Sequence, residues 1–259
     1  MFLILNSFKR FLVILILLSS IGFANAQEFN RFKFGITVSP SANWLSIKSQ
    51  GTESGSSAVN MNYGLSTDFA LKGSDRYYFS TGVTILSNGG KINYTAVELE
   101  NEVLFESHNE SKITTRYVEI PIALKLRTHE IGYSVFAGKF GFGTGFRING
   151  FENRTTSFYS TNSIYNEKTE RINIQEKIKP VRFAMIVGVE WERKITKDTY
   201  FTFGFTFNNG LSNIFNSHTY NLDESGNLDW DSVNADGSAS GPSLKGTSKT
   251  IAFQFGIYF

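Results

Sequence analysis

Cysteine is absent from this chain of 259 residues. Its absence excludes a disulfide framework, and it also excludes a lipoprotein, because a lipid-modified amino terminus requires a cysteine. A long apolar run is missing too, except near the amino terminus: no later segment approaches the roughly 20 residues that a membrane-spanning helix needs. We therefore expect no helical membrane span in the rest of the chain.

An excess of charge of one sign is also missing. The formal net charge is +2 with 25 basic and 23 acidic residues, and without Lys9 and Arg10 the balance is 25 − 2 = 23 against 23. A nucleic-acid-binding protein would show a basic face or stripe, so nucleic acid is not an expected partner. The sequence has no phosphate-cradling glycine loop, no zinc-ligand spacing and no calcium-loop pattern. We therefore expect neither a cofactor nor a metal.

The first residues have the features of a secretory signal peptide. Lys9 and Arg10 precede the apolar run of residues 11–18, and an A-x-A cleavage site occupies residues 24–26. The apolar run is too short for a transmembrane anchor, which is the less favoured alternative. We expect a signal peptide over residues 1–26 and one mature domain over residues 27–259.

The last ten residues show a strict alternation of side-chain type. Large apolar residues stand at every second position, and small or polar residues stand between them: Ile251, Phe253, Phe255, Ile257 and Phe259 alternate with Ala252, Gln254, Gly256 and Tyr258. This pattern predicts a strand with one face suited to lipid. With the secretory signal, it indicates an outer-membrane β-barrel, the sheet architecture that leaves no unpaired edge in hydrocarbon.

Seven earlier segments alternate in the same way. Their apolar faces fall within residues 32–38, 61–69, 77–85, 118–126, 136–146, 183–191 and 201–207. The connections alternate between short turns and long loops, and the long ones cover roughly residues 47–59, 88–112, 149–180 and 215–246. Short periplasmic turns and long extracellular loops are typical of outer-membrane barrels, and an even strand number places both termini in the periplasm. The predicted fold class is all-β, an eight-stranded antiparallel transmembrane up-and-down β-barrel with long extracellular loops.

The alternative is a soluble β-sandwich or a lipocalin-like barrel, in which the apolar faces would point inward. The many phenylalanines, 25 in all, would overfill such an interior. The residues assigned to the interior include several glycines and little bulk, so a barrel of about eight strands has room for side chains but not for a wide channel.

Three segments match the motifs of one known family. They are YVEIPIALKLR at residues 117–127, NNGLSNI at 208–214 and GIYF at 256–259. They resemble the fourth-strand signature, the end of the penultimate strand and the chain end of the PorT-like outer-membrane β-barrels of the Bacteroidota. The resemblance covers essentially the whole mature chain and implies an outer-membrane location. It implies little about role, because one founding member serves a secretion machine and most members have no assigned task. It brings no catalytic residues.

Nine charged residues fall on the faces assigned to the barrel interior: Lys33, Asp68, Glu119, Lys125, Arg127, Lys139, Arg147, Arg182 and Glu190. Because an unpaired buried charge is costly, we expect a paired, structural network that fills the lumen. The alternative is a narrow, anion-leaning path for small solutes. Glu119 is expected opposite the Gly141 region and diagonal to Lys139. Pro121, which lacks an N–H, predicts a bulge or a local break in the ladder beside Glu119.

Small outer-membrane barrels include enzymes that act on lipopolysaccharide, and these need a nucleophile with a base. The candidates in this sequence are His108 and His218 in long loops, the neighbouring serines Ser107, Ser111 and Ser217, and His129 in a short turn. Neighbouring positions in sequence do not make a catalytic geometry. We therefore assign no catalytic residues and do not expect an enzyme.

The predicted loops differ in charge. The second is acidic, with Glu98, Glu100, Glu102, Glu106 and Glu110; the third is basic, with Arg154, Lys168, Arg171, Lys177 and Lys179. These two are expected either to pair at the barrel rim or to form a docking surface for a partner. The fourth carries Asp223, Glu224, Asp229, Asp231 and Asp236 among small polar residues, a composition that favours a solvated, mobile loop.

Together these features predict a non-enzymatic integral outer-membrane protein with a structural or interaction role in the cell envelope. It either supports a secretion or envelope-assembly complex or presents its loops for adhesion and surface binding. A narrow small-solute channel is the second alternative, and a lipid-A-modifying enzyme is the third. The expected partners are outer-membrane lipid and lipopolysaccharide, the barrel-assembly machinery during insertion, and an envelope or secretion protein.

Overall fold

The computed structural model describes residues 32–71, 74, 76–100, 103–160, 163–196, 198–223, 225 and 227–259. The predicted signal peptide, residues 1–26, lies outside these residues. The compact unit spans Lys33–Phe259. None of the described helices has the length and apolarity to cross a membrane.

The described residues form ten strands and two short 3₁₀ turns. The strands are β1 (Phe32–Ile47), β2 (Thr52–Ser54), β3 (Ala58–Ala70), β4 (Tyr77–Glu100), β5 (Val103–Arg127), β6 (Ser134–Ser160), β7 (Ser163–Asn173), β8 (Val181–Lys194), β9 (Tyr200–Gly210) and β10 (Gly246–Tyr258); the turns are Gln175–Lys177 and Trp230–Ser232. Eight strands form a closed ring in the order β4-β3-β1-β10-β9-β8-β6-β5, and β5 returns to β4. β2 lies beside β4, and β7 lies beside β6. This ring confirms the predicted eight-stranded barrel.

The ring closes where β1 meets β10. Their antiparallel pairs run from Gly35 opposite Tyr258 to Ile47 opposite Gly246. The pairing stops at Val38 and resumes at Ser41. This gap contains Pro40, which has no N–H to donate to the ladder.

The strands present their apolar faces to the outside. Large side chains on every barrel strand are exposed, among them Ile36, Leu65, Phe79, Ile122, Phe140, Phe142, Phe183, Phe205 and Phe253. The alternate positions on the same strands are buried or half-buried. A soluble barrel or sandwich would bury the phenylalanines and not expose them. The continuous apolar band is the surface that acyl chains cover in an outer-membrane barrel.

Replacing Phe142 with arginine should lower the free energy of unfolding by about 2–4 kcal/mol in lipid vesicles, because the charge would enter hydrocarbon near its midplane. Phe142 lies near the middle of the exposed stretch of β6 and is 55% exposed. Urea titration of the folded barrel measures the change. Thr169→Arg, at an exposed position on β7, is the control and should change stability by less than about 0.5 kcal/mol. Equal effects of the two variants would show that the band does not face lipid.

Two of the predicted long loops are largely strand. β4 and β5 stay paired as far as Glu100 and Val103, and β6 continues to Ser160, where it pairs with β7. The fourth predicted loop is folded and not simply solvated, because bridges such as Ile178 opposite Phe215 tie it to its surroundings. We call this end of the molecule the head: β2, β7, the adjoining ends of β4, β5 and β6, and the described part of residues 174–180 and 211–245.

An apolar core fills the base of the head. Its buried members are Leu45, Ile92, Ile113, Tyr117, Ile174, Ile178, Ile214, Phe215 and Leu244. They come from inward positions at the head ends of β1, β4 and β5 and from the segments that follow β7 and β9. The barrel is therefore closed at this end by packing of the kind found inside soluble proteins.

Candidate functional site

Lys125 is the centre of a charge cluster in the half of the lumen nearest the short turns. Its Nζ lies 2.9 Å from Asp68 Oδ2, 2.6 Å from Glu190 Oε2 and 2.9 Å from Glu192 Oε1. All four side chains are only 2–3% exposed. An ammonium group has three N–H donors, so each of the three carboxylates can take one.

Three more cations surround these carboxylates. Arg127 Nη2 lies 2.5 Å from Glu192 Oε2, and Lys33 Nζ lies 3.7 Å from the same oxygen. Lys139 Nζ lies 3.1 Å from Glu190 Oε1. The turn-end cluster thus contains Lys33, Asp68, Lys125, Arg127, Lys139, Glu190 and Glu192. Its four cations and three carboxylates leave one positive charge.

A second cluster, the mid-lumen cluster, is built on Arg182. Its guanidinium donates to Glu119 Oε2 at 2.8 Å, to Asn208 Oδ1 at 2.5 Å and to Ser248 Oγ at 2.9 Å. Asn208 Nδ2 donates to the other oxygen of Glu119 at 2.9 Å, so both carboxylate oxygens are engaged. Gly143 makes room for this carboxyl group, since a Cβ at that position would lie 2.7 Å from Glu119 Cδ.

Arg147 lies outside both clusters, which corrects its predicted membership of the network. Its Nη1 donates to the backbone carbonyls of Gln175 and Ile178. Arg147 therefore ties β6 to the 3₁₀ turn at the base of the head and makes no ion pair within the described residues.

The predicted register of the hairpin formed by β5 and β6 is also wrong. Glu119 lies opposite Gly145 and not Gly141, and Lys139 lies directly opposite Lys125. The register places those two lysines side by side, and Glu190 contacts both ammonium groups.

Pro121 causes a local break and no bulge. The β4–β5 ladder has no pair between Thr81 opposite Ile122 and Thr84 opposite Glu119. The Thr81 hydroxyl donates to the Pro121 carbonyl at 2.7 Å. The register shift of β5 against β6 occurs farther along, between Arg116 and Tyr117.

The sequence reasoning missed three members of these clusters. Glu192 could have been found, because it follows Glu190 by two positions and so shares its face of β8. Asn208 and Ser248 carry no charge, and polar residues on an inward face give no signal of a specific partner. Only the register of β8, β9 and β10 brings them to Arg182.

The space left between the two clusters is small. A cavity of about 80 Å³ is lined by residues of both, including Glu119 and Lys139. Such a polar space suits a few water molecules and not a solute. The lumen is thus occupied at the turn end, at mid-height and, by the apolar core, at the head.

A much larger cavity of about 420 Å³ lies in the head. Members of the apolar core form part of its lining, namely Ile92, Ile113, Ile178, Phe215 and Leu244. Cavities of about 300–1,000 Å³ with mostly apolar walls and a few polar groups are typical of small-molecule sites.

Glu152 organises the polar part of this cavity. Its Oε1 accepts hydrogen bonds from Ser111 Oγ at 2.5 Å, Tyr94 OH at 2.7 Å and Arg154 Nε at 3.2 Å. Burial disfavours the charged form of Glu152, but the hydrogen bonds from Arg154 and Ser111 outweigh it and hold the pKa of the carboxyl below its usual value. Arg154 Nη1 also lies 3.5 Å from Glu98. This contact confirms, at one place, the predicted pairing of the acidic and basic segments.

A tyrosine fastens the fourth connection across the cavity. Tyr220 OH donates to the Gly237 carbonyl at 2.6 Å and accepts from the Val97 N–H at 3.3 Å. Leu222 and Ala239, from the same connection, line the cavity. This segment therefore forms one wall of the site.

Two of the three serines considered for catalysis, Ser107 and Ser111, are engaged in structural contacts. Ser111 donates to Glu152, and Ser107 Oγ donates to the Ala96 carbonyl at 3.3 Å. His108 Nδ1 lies 3.2 Å from Thr95 Oγ1. In the part of the chain that the structure describes, no group of three or more His, Cys, Asp or Glu residues is placed to hold a metal ion.

Comparison with known proteins gives one family match and several distant structural likenesses. The family model described as "Outer membrane protein beta-barrel domain" matches residues 23–216. Neisserial surface protein A is 8% identical, with a TM-score of 0.39 over 87% of this chain and 95% of that one. The attachment invasion locus protein Ail of Yersinia pestis is 9% identical, with a TM-score of 0.33 over 88% and 99%. The outer membrane protease OmpT of Escherichia coli is 10% identical, with a TM-score of 0.33 over 92% and 99%. No curated protein matches the sequence significantly.

Proposed function

This chain belongs to the family of outer membrane protein β-barrel domains, and from that premise we propose that it is a non-conducting, non-enzymatic barrel whose head binds a ligand at the cell surface. The observation that carries the proposal is the contrast between the two ends of the interior. The lumen is filled by ion pairs and an apolar core, whereas the head contains a cavity of about 420 Å³. A filled barrel that supports a hollow head is suited to binding and not to conduction.

We orient the proposed barrel with its short turns and both termini in the periplasm. The turns between β3 and β4, between β5 and β6 and between β8 and β9 lie at one end, and the head lies at the other. Outer-membrane barrels place short turns in the periplasm and longer connections outside. The head then faces the cell exterior, where its cavity meets ligands from the medium.

The proposed partners follow from the same orientation. Outer-membrane lipid and lipopolysaccharide contact the apolar band, and the barrel-assembly machinery handles the chain during insertion. As an alternative, we propose that the chain is related to the PorT-like barrels of the Bacteroidota. In that case its head takes part in a secretion or envelope complex. The motifs at residues 117–127 and 208–214 support that kinship.

The filled lumen predicts that the reconstituted protein is electrically silent. In planar bilayers the wild-type protein should show no steady single-channel steps, because the turn-end and mid-lumen clusters leave only about 80 Å³ between them. The flux of a small anion into vesicles from the same preparation gives a second readout. The protein content of these vesicles can be measured directly. A known porin reconstituted in parallel is the positive control. Steady conductance, or flux above that of protein-free vesicles, would contradict the proposal and favour the channel.

A further inference from the structure

We propose that the head cavity takes a small amphipathic amine, with its apolar body against the core residues and its protonated nitrogen beside Glu98 and Asp236. The inference rests on the proposed binding role of the head and adds the chemistry of the ligand.

The floor of the cavity requires an apolar group. Ile92, Ile113, Ile178, Phe215 and Leu244 line it and are themselves buried members of the apolar core. A fully polar ligand would lose its hydration there without gaining hydrogen bonds. The bound molecule therefore needs a hydrocarbon or aromatic body.

Four side chains of the polar wall already use hydrogen-bond donors within the protein. Tyr94 OH and Ser111 Oγ both donate to Glu152. Arg154 donates through Nε and Nη2 to the same carboxylate, and its Nη1 lies toward Glu98. Tyr220 OH donates to a backbone carbonyl. A carboxylate or phosphate that drew on these four side chains would have to break these bonds, which leaves Lys177 as the other cation of the lining.

Acceptors remain available on the same wall. Glu98 is 36% exposed, and its contact with Arg154 is a long one of 3.5 Å through a single oxygen. Asp236 is exposed, and its Oδ1 accepts from the backbone N–H and hydroxyl of Ser238 at 3.0 Å and 2.6 Å. Both carboxylates can accept hydrogen bonds from a ligand ammonium group.

The charge of the lining favours the same ligand. Three carboxylates, Glu98, Glu152 and Asp236, line the cavity with two cations, Arg154 and Lys177, which leaves one negative charge. Opposite charge favours entry of a cation and disfavours an anion. The lipid A phosphates of the surrounding leaflet are therefore poor ligands for this site.

Three probes of the same shape separate charge from apolar contact: 4-phenylbutylamine, 4-phenylbutanol and 4-phenylbutanoate. Each is titrated calorimetrically into the mature protein in lipid nanodiscs, and empty nanodiscs are subtracted. We expect the amine to bind about tenfold more tightly than the carboxylate, with the alcohol between them.

Matched variants locate the effect. Glu98→Gln should weaken binding of the amine by roughly threefold or more and leave the alcohol unchanged. Glu106→Gln removes a charge from an exposed position on the same hairpin, away from the cavity lining, and should change neither. Ala239→Trp fills the cavity from its lining and should abolish binding of all three probes.

The outcomes distinguish this inference from the proposed function. If the alcohol and the carboxylate bind as well as the amine, and Ala239→Trp abolishes all binding, the head is a binding site but the amine preference is wrong. If no probe binds, or if Ala239→Trp has no effect, the cavity is not the site and the inference falls. The bilayer experiment tests conduction separately, so its result does not decide between these outcomes.

Discussion

Replacing Lys125 with methionine should destabilise the folded barrel by about 3–5 kcal/mol, the cost of removing one partner from a buried ion pair. Methionine keeps an unbranched apolar stem of similar length but removes the ammonium. Asp68, Glu190 and Glu192, which lie within 2.9 Å of Lys125 Nζ, would then be left close together in a sealed interior. The remaining cations of the cluster stand at its edge and cannot replace all three contacts. Urea titration in lipid vesicles, followed by tryptophan fluorescence, measures the loss.

Lys112→Met is the matched control for this variant. Lys112 lies on the same strand, β5, but is exposed in the head, so the same substitution there should change stability by less than about 0.5 kcal/mol. A Lys125→Met protein as stable as the Lys112→Met protein would show that the carboxylates do not depend on Lys125.

Arg182→Met should have an effect of similar size, about 3–5 kcal/mol, for a related reason. Arg182 is 0% exposed and is the cation that contacts Glu119. Without it, Glu119 would keep one hydrogen bond from Asn208 but would be a buried charge without a counterion. The same urea titration reports the change, and Arg116→Met, at an exposed position on β5, is the control.

Combining Arg182→Met with Glu119→Gln tests whether the loss of the ion pair causes this destabilisation. In the double variant Arg182→Met with Glu119→Gln, no charge remains at mid-lumen, and the amide can still pair with Asn208. The two losses should therefore combine to much less than their sum, with a coupling of about 0.5–3 kcal/mol. Strictly additive losses would mean that Arg182 and Glu119 do not act on each other.

The outer faces of the barrel could be predicted from the sequence because lipid selects one kind of side chain for them. Phe140, Phe142 and Phe146 stand at even positions of β6, and glycines stand at the odd positions between them. A period of two fixes which face a residue occupies, whatever the partner strand does. The faces of eight strands were therefore predicted correctly, and the closed ring follows from them.

The pairs inside the barrel could not be predicted in the same way, because alternation gives the face but not the offset between strands. Glu119 lies opposite Gly145 because the turn that joins β5 to β6 sets the offset between the two strands. The alternation of side chains along each strand does not encode that offset. Arg147 was placed on the correct face, but it lies beside the register shift at Arg116 and Tyr117. From there it contacts the backbone carbonyls of the 3₁₀ turn and not a carboxylate.

The head was the least predictable part of the molecule. Ile92 and Ile113 pack into an apolar core on one side of a sheet that has water on the other, so charged residues are interspersed along the outer face. Glu106, Glu110 and Arg171, three of the charged residues that predicted loops, are exposed on this sheet. The cavity depends on contacts between distant segments, such as Tyr220 with Val97, and no local pattern encodes them.

The meeting of β1 with β10 is the contact that completes the barrel. These are the first and the last of the eight ring strands along the chain, so each lacks its second neighbour in the ring until the two have paired. Until then each would carry a row of free amide and carbonyl groups that hydrocarbon cannot solvate. The sheet is therefore free of open edges in hydrocarbon only once its first and last strands have joined.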